Sequence, residues 1–343
     1  MSECILRNGK IIGDFHRPYF VAEMNSSHNG NIENAKKMID KAIEIGCNAV
    51  KFQSWSANSL YSKNYYDENP IAKRMVSRFA MDKEKLKELS LYCKEKKIDF
   101  SSTPYSKEEL DFLVDECDAP FVKVASMDIN NLKFLKEVAE KKIAIILSTG
   151  MATMKEIETA VDVIKTAGNK NICILHCVSV YPVAEKNVNL NNMIEIRKKF
   201  GDISVGYSDH TIGELAAICA VANGASLIEK HFTLDNKKIG WDNQMACEPE
   251  DFKKMIDACG VAYEILGQKR RIVSEDEMEQ AKKMRRSIVA AYKIEAGTVL
   301  TEEMLDSKRP YIGVSPDHVD DLIGKKLKRK VEEDEIIFET DVE

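Results

Sequence analysis

The segment Ser204-Val-Gly-Tyr-Ser-Asp-His210, the apolar run from Gly213 to Asn223 and the segment Ser226-Leu-Ile-Glu-Lys-His-Phe232 together decide the fold of this chain. Each short apolar segment closes on a histidine, and the run between them has the length and composition of a helix. Two strands joined by such a crossover lie parallel, with a right-handed connection. His210 and His231 would then stand at the carboxyl ends of neighbouring strands, where α/β barrels carry their chemistry. Two neutral imidazoles one strand apart suit a borderline divalent ion that keeps positions open for water and substrate. The alternative is that each histidine only caps its strand. The pattern occurs twice in succession, each time beside a charged residue (Asp209, Lys230), which favours the metal site and leaves the ion open.

Working outward, the same alternation of short apolar run and amphipathic helix repeats along the chain. The runs are Tyr19–Glu23, Ala49–Gln53, Phe100–Thr103, Phe121–Ser126, Ile143–Thr149, Ile172–His176 and the two that end in histidine. Between them lie segments such as Asn31–Ile45, where Ala35, Met38, Ile39, Ala42 and Ile43 recur at helical spacing. Eight strands with intervening helices over about 250 residues define a (β/α)₈ TIM barrel. A glycine-rich nucleotide fingerprint, the mark of an open sheet after its first strand, is missing. Ile5-Leu6 and Ile11-Ile12 flank Asn8-Gly9 and predict a hairpin that plugs the barrel bottom. We place the barrel at 1–267, a charged linker or exposed helix at 268–286, and a small β-rich domain of short strands and turns at 287–343.

The predicted strands end in polar residues, which a packed barrel interior would not choose. Lys51 and Lys123 sit inside apolar strands, and a buried ammonium without an anion costs several kcal/mol. A ligand carrying phosphate and carboxylate would satisfy both; pairing with Glu23, Asp209 or Glu229 is the alternative. Ser126, Ser148, Thr149 and Ser208 are neutral donors for the same anion, Glu23 is an acceptor or proton shuttle, and Asp242 could hold sugar hydroxyls.

Bulk properties narrow the partners. Fifty basic and 56 acidic residues are interspersed, with a net charge of −6, so neither nucleic acid nor a membrane surface is expected as the main partner. Nine scattered cysteines without zinc-type spacing read as reduced thiols. No signal peptide and no apolar run of about 18 residues is evident, so a soluble, cytoplasmic protein is expected.

Taken together, Ala22-Glu-Met-Asn-Ser-Ser-His-Asn-Gly30, Val50-Lys-Phe-Gln53, Phe121-Val-Lys-Val-Ala-Ser126, His176-Cys-Val-Ser-Val-Tyr-Pro182, Val205-Gly-Tyr-Ser-Asp-His-Thr211, Glu229-Lys-His-Phe-Thr233 and Lys308-Arg-Pro310 resemble the sialic acid synthase (N-acetylneuraminate synthase) family. The resemblance spans nearly the whole chain. It implies a barrel followed by an antifreeze-like (SAF, β-clip) domain, and a transferase that condenses phosphoenolpyruvate with an N-acetylated mannosamine-type sugar to a 2-keto sugar acid and phosphate. It also implies a domain-swapped homodimer. By the same resemblance, His210 and His231 bind a divalent metal, manganese first, with magnesium or cobalt as alternatives. Lys51, Thr103, Lys123, Ser126 and Ser208 bind phosphoenolpyruvate, with Ser148 beside them; Glu23, Gln53, Tyr181 and Asp242 hold the sugar, and Arg309 reaches in from the other subunit.

Three stretches depart from the family pattern, all on the sugar side: Met24-Asn-Ser-Ser27, Ser179, and Gly240-Trp-Asp242 where relatives carry Gly-Pro-Asp. They leave the acceptor open between N-acetylmannosamine and a 2,4-diacetamido-2,4,6-trideoxyhexose, the precursor of legionaminic or pseudaminic acid. Two rival functions remain. A synthase of phosphorylated aldoses would need basic loops, whereas only Lys186, Lys237 and Lys238 stand out there. A non-catalytic anionic-sugar binding barrel would bind phosphoenolpyruvate without turnover.

Overall fold

The computed structural model of the chain describes residues 2–238 and 240–343. They divide into two compact units, which meet in sequence between Gly267 and Gln268. The first unit opens with an antiparallel hairpin, β1 (Glu3–Ile5) and β2 (Ile11–Gly13), followed by β3 (Tyr19–Glu23), β4 (Ala49–Gln53), β5 (Asp99–Thr103), β6 (Phe121–Val124), β7 (Ala144–Ser148), β8 (Ile172–Cys177), β9 (Ser204–Asp209) and β10 (Leu227–His231). The last eight form one sheet in the order β5-β4-β3-β10-β9-β8-β7-β6, its ladders all parallel. Ser101 Oγ on β5 donates to the Phe121 carbonyl on β6 at 2.7 Å, which draws the two ends of the order together into a nearly closed barrel.

Strand alternation sorts the side chains. In the lower half of the barrel Val21, Ala49, Phe121, Ile146, Leu175 and Leu227 meet Cys4, Leu6 and Ile12 of the hairpin in one apolar cluster. The hairpin thus seals the amino-terminal end. Only half of the residues that predicted it take part: Leu6 and Ile12 are buried, whereas Ile5 and Ile11 are 52% and 49% exposed, because alternate residues of a strand face opposite ways. The other strand face packs against helices whose starts are written in the sequence. Asn31 caps Ile32–Glu44, and Thr153 with Glu156 forms a capping box on Met154–Thr166. One helix departs from its predicted shape: the segment from Lys107 is α-helical to Asp111 and then widens into a π-turn at Phe112–Glu116.

Between β4 and the helix Lys83–Lys96 the chain makes an excursion that periodicity did not predict. It holds three short helices, Ala57–Leu60, Lys63–Glu68 and Pro70–Phe79, gathered around Trp55, Tyr66, Val76 and Phe79. The first two are too short to show a 3.6-residue period, and the third, which starts on Pro70, buries only Val76 and Phe79.

The second unit has its own core, formed by Ile288, Ala290, Ile294, Leu300, Val314, Leu322, Leu327, Val331, Ile337 and Val342. Strands β11 (Ser287–Ala290) and β12 (Leu305–Lys308) pair antiparallel. The helix Glu275–Met284 buries none of its residues, in keeping with the charged composition of that stretch. Arg329 grips Asp341 through both carboxylate oxygens and Glu335 through one.

Candidate active site

A cavity of about 350 Å³ opens among the carboxyl ends of the barrel strands. Its position follows from the inward-facing alternation: above the apolar layer the next inward residues are Lys51 and Gln53 on β4, Thr103 on β5, Lys123 on β6, Ser148 on β7, Cys177 on β8, Ser208 on β9, and Glu229 and His231 on β10. Register pairing sets Glu23 beside both Lys51 and His231, and Ser208 beside Glu229.

The floor is charged and buried. Lys51 Nζ lies 2.5 Å from Glu23 Oε2 and 3.4 Å from Glu229 Oε2. Lys123 Nζ lies 3.6 Å from Glu229 Oε1 and donates to Ser148 Oγ at 2.7 Å. The lysines therefore do pair with Glu23 and Glu229, and they line the cavity at the same time. Asp209 pairs instead with Lys230 at 2.5 Å. That ion pair, with Thr211 donating to Asp209 Oδ1 at 2.8 Å from both its amide and its hydroxyl, ties the ends of β9 and β10 together behind the two histidines. Burial alone would raise the Glu229 carboxyl, but the ammonium groups of Lys123 and Lys51 outweigh it and hold it at about 2. Burial lowers Lys51 to about 7, against the pull of Glu229. An arriving anion would restore its charge.

The two imidazoles face each other edge to face, with ring centroids 5.4 Å apart. His210 Nδ1 lies 2.8 Å from the Val178 carbonyl, an acceptor only, so Nδ1 carries a proton; burial lowers the pKa of this ring, but the Cys177 sulfur and the Val178 carbonyl outweigh it and raise it above the usual value. His231 is buried with an Nδ1 that has no hydrogen-bond partner, and burial together with the nearby His210 and Lys51 holds its pKa well below the usual value. In its neutral form each ring offers a nitrogen lone pair on the cavity wall, the kind of donor that a divalent ion completed by water and substrate requires. Tyr181 packs against this pair, its ring centroid 4.2 Å from that of His210 in a tilted contact and 5.8 Å from that of His231 edge-on.

Gln53, Thr103, Ser126, Ser179, Ser208 and Asp242 also line the cavity. Ser126 Oγ accepts from the Gly150 amide at 3.0 Å, and a Cβ on Gly150 would displace the hydroxyls of Ser179 and Ser126. Two barrel residues predicted for the site lie elsewhere: Glu23, and Thr149, whose Oγ1 donates to the Leu175 carbonyl at 2.9 Å. Glu23 is 1% exposed and stands behind the lining, gripped by Lys51, by the Asn25 amide at 2.9 Å and by Gln53 Nε2 at 3.1 Å. Arg309 belongs to the second unit, where it is exposed and its Nη1 lies 3.8 Å from Met284 Sδ. His176, grouped with the strand-end residues by sequence, turns away from the cavity to bond the Val188 carbonyl at 2.7 Å. Asn25 and Trp241 fall in the two stretches that the sequence placed on the sugar side; sequence reasoning missed Trp55, Leu60, Tyr61, Tyr105, Met127, Met151 and Cys177. Cys177 was within reach of strand alternation; the others lie on loops and on the excursion after β4, where no period applies.

The chain belongs to the NeuB family, whose model matches residues 38–271, and a SAF domain matches residues 285–343. It is 37% identical to an N,N'-diacetyllegionaminic acid synthase of Campylobacter jejuni, over 93% of this chain and 98% of the relative. It is 33% identical to a pseudaminic acid synthase of the same species, over 96% and 99%. The crystal structure of an N-acetylneuraminic acid (sialic acid) synthetase from Leptospira borgpetersenii in complex with citrate superposes with a TM-score of 0.75 at 33% identity, covering 81% of this chain and 95% of that one. The relatives are thus synthases of sialic, legionaminic and pseudaminic acids. Among the described residues, no helix is long and apolar enough to cross a membrane.

Proposed function

We propose that this chain condenses phosphoenolpyruvate with an N-acetylated amino sugar and water to give a nine-carbon 2-keto sugar acid and phosphate. The acceptor is N-acetylmannosamine or a 2,4-diacetamido-2,4,6-trideoxyhexose. One observation carries the reading: two buried ammonium groups, Lys51 and Lys123, form the floor of the same cavity whose wall carries the paired imidazoles of His210 and His231.

Lys51 and Lys123, with Thr103, Ser126, Ser148 and Ser208, hold the phosphate and carboxylate of phosphoenolpyruvate. Gln53, Ser179, Tyr181 and Asp242 hold the open-chain sugar above it. C3 of phosphoenolpyruvate attacks the aldehyde carbon, water adds to the cation left at C2, and phosphate departs with the electrons of its C2–O bond. Holding both partners in near-attack geometry can supply about 7–11 kcal/mol of the barrier reduction. A divalent ion, manganese first and magnesium or cobalt as alternatives, would be held by His210 and His231 and would supply electrophilic activation of the aldehyde. Glu23, behind the lining, acts as a positioning residue that orients Gln53 and Lys51. The working form in this proposal is a domain-swapped homodimer in the cytoplasm, with Arg309 of the partner subunit completing each sugar site.

Phosphate release measured with manganese, phosphoenolpyruvate and a panel of amino sugars tests this. Release that depends on both the sugar and the metal is expected. Absence of release with every sugar would sink the synthase reading.

A further inference from the structure

The upper half of the cavity is built differently from its floor. A continuous hydrogen-bonded arc crosses it. Tyr105 Oη donates to Gln53 Oε1 at 3.0 Å, Gln53 Nε2 and the Asn25 amide both donate to Glu23 Oε1, and Asn25 Nδ2 donates to Asp242 Oδ2. Asn25 is buried and left-handed at φ +36°, a conformation that asparagine and glycine tolerate best. The neighbouring residues lock the same two loops, since the Trp241 amide donates to Ser26 Oγ at 3.2 Å. The stretches that depart from the family pattern, Met24–Ser27 and Gly240–Asp242, are therefore bonded to each other.

Above the arc the wall is apolar. The rings of Trp55 and Trp241 lie 6.2 Å apart, and Leu60 and Tyr61 continue the surface from the helical excursion after β4. Among the described residues lining the cavity, the only lysines or arginines are Lys51 and Lys123, both on the floor and both paired with carboxylates. On the barrel's own wall a phosphate on the far end of the sugar would meet indole and phenol rings and no lysine or arginine, and it would lose hydration there without compensation. A methyl group there would be desolvated by the same rings, a gain of ~10-fold or more in an apolar pocket.

Building on the synthase reading, we propose that this arc and wall form the specificity device for the acceptor. Asn25 holds Asp242 against the polar face of the sugar. Trp241, with Trp55, receives an uncharged, methyl-bearing far end. The order of preference is then a 2,4-diacetamido-2,4,6-trideoxyhexose first, N-acetylmannosamine second, and N-acetylmannosamine 6-phosphate last.

The chain has two tryptophans, and both stand in this wall, so intrinsic fluorescence reports it without requiring turnover. The full-length protein with phosphoenolpyruvate is titrated with each of the three sugars while tryptophan emission is followed, and phosphate release is measured in parallel. The expected result is binding of the diacetamido sugar ~10-fold tighter than N-acetylmannosamine, with the 6-phosphate weaker again. Trp241→Ala should erase the preference, and Trp241→Phe should restore most of it. Asn25→Gly, which suits the left-handed backbone, should weaken all three sugars while leaving the affinity for phosphoenolpyruvate within about twofold. Equal or tighter binding of the 6-phosphate, or an unchanged order in Trp241→Ala, overturns the proposal. The predicted fluorescence order without phosphate release from any sugar would overturn the synthase reading and leave the specificity device standing.

Discussion

The two ends of the barrel bury charge for different ends. At the bottom, Asp14 accepts from Arg197 Nε at 2.9 Å, from the Val205 amide at 2.7 Å and from Ser2 Oγ at 2.9 Å, while Asp99 gathers Lys10, Asn8 and Tyr19. These carboxylates are saturated with donors and tie the hairpin and the strand starts in place. At the mouth, Lys51, Lys123 and Glu229 are as deeply buried but open onto a cavity, and Thr103 Oγ1 and His231 Nδ1 have no hydrogen-bond partner. A saturated buried charge holds a fold together; one with capacity left over awaits a ligand.

This contrast can be broken experimentally, and the largest effect belongs to the floor. Lys123→Ala should abolish phosphate release and cost about 3–5 kcal/mol in denaturant unfolding, because Glu229 loses one of its two cations in a dry site. The double variant Lys123→Met with Glu229→Gln should regain most of that stability and none of the activity. Recovered turnover would show that the floor is structural, like the bottom of the barrel. His231→Ala comes next. It should lose metal-dependent turnover by ~100-fold or more, as expected when several kcal/mol of electrophilic stabilisation disappear, with circular dichroism and the unfolding midpoint nearly unchanged. The smallest effect is at the bottom. Asp14→Asn should lower stability by about 1.5–3 kcal/mol through weakened charge-assisted bonds, while kcat/KM stays within about twofold. A large fall in kcat/KM would mean that the two ends are energetically coupled.

The site was unevenly legible. Lys51, Lys123 and the two histidines stood out because a polar residue at an inward position of an apolar strand has no packing reason to be there. Glu229 was recognisable by the same alternation, two residues before His231, though it was read only as a partner for the lysines. The position of Glu23 was not: its place on β3 is the predicted one, but its carboxylate is taken up by Lys51, Gln53 and the Asn25 amide and does not line the cavity. His176 shows the converse, since a strand-end histidine can turn outward to the helix layer and bond a loop carbonyl. The aromatic wall left no pattern, because Trp55, Tyr61 and Trp241 lie on loops and short helices that carry no period.

By itself the sequence determined the eight-stranded barrel, the hairpin at its bottom, the small β-rich domain and the family, since strand and helix periods and local motifs are properties of neighbouring residues. Tertiary structure alone decided which buried charges pair, which of them face open space, and how Asn25 reaches Asp242 across 217 positions of chain. Those outcomes depend on distances between segments far apart in sequence, and no local pattern encodes them.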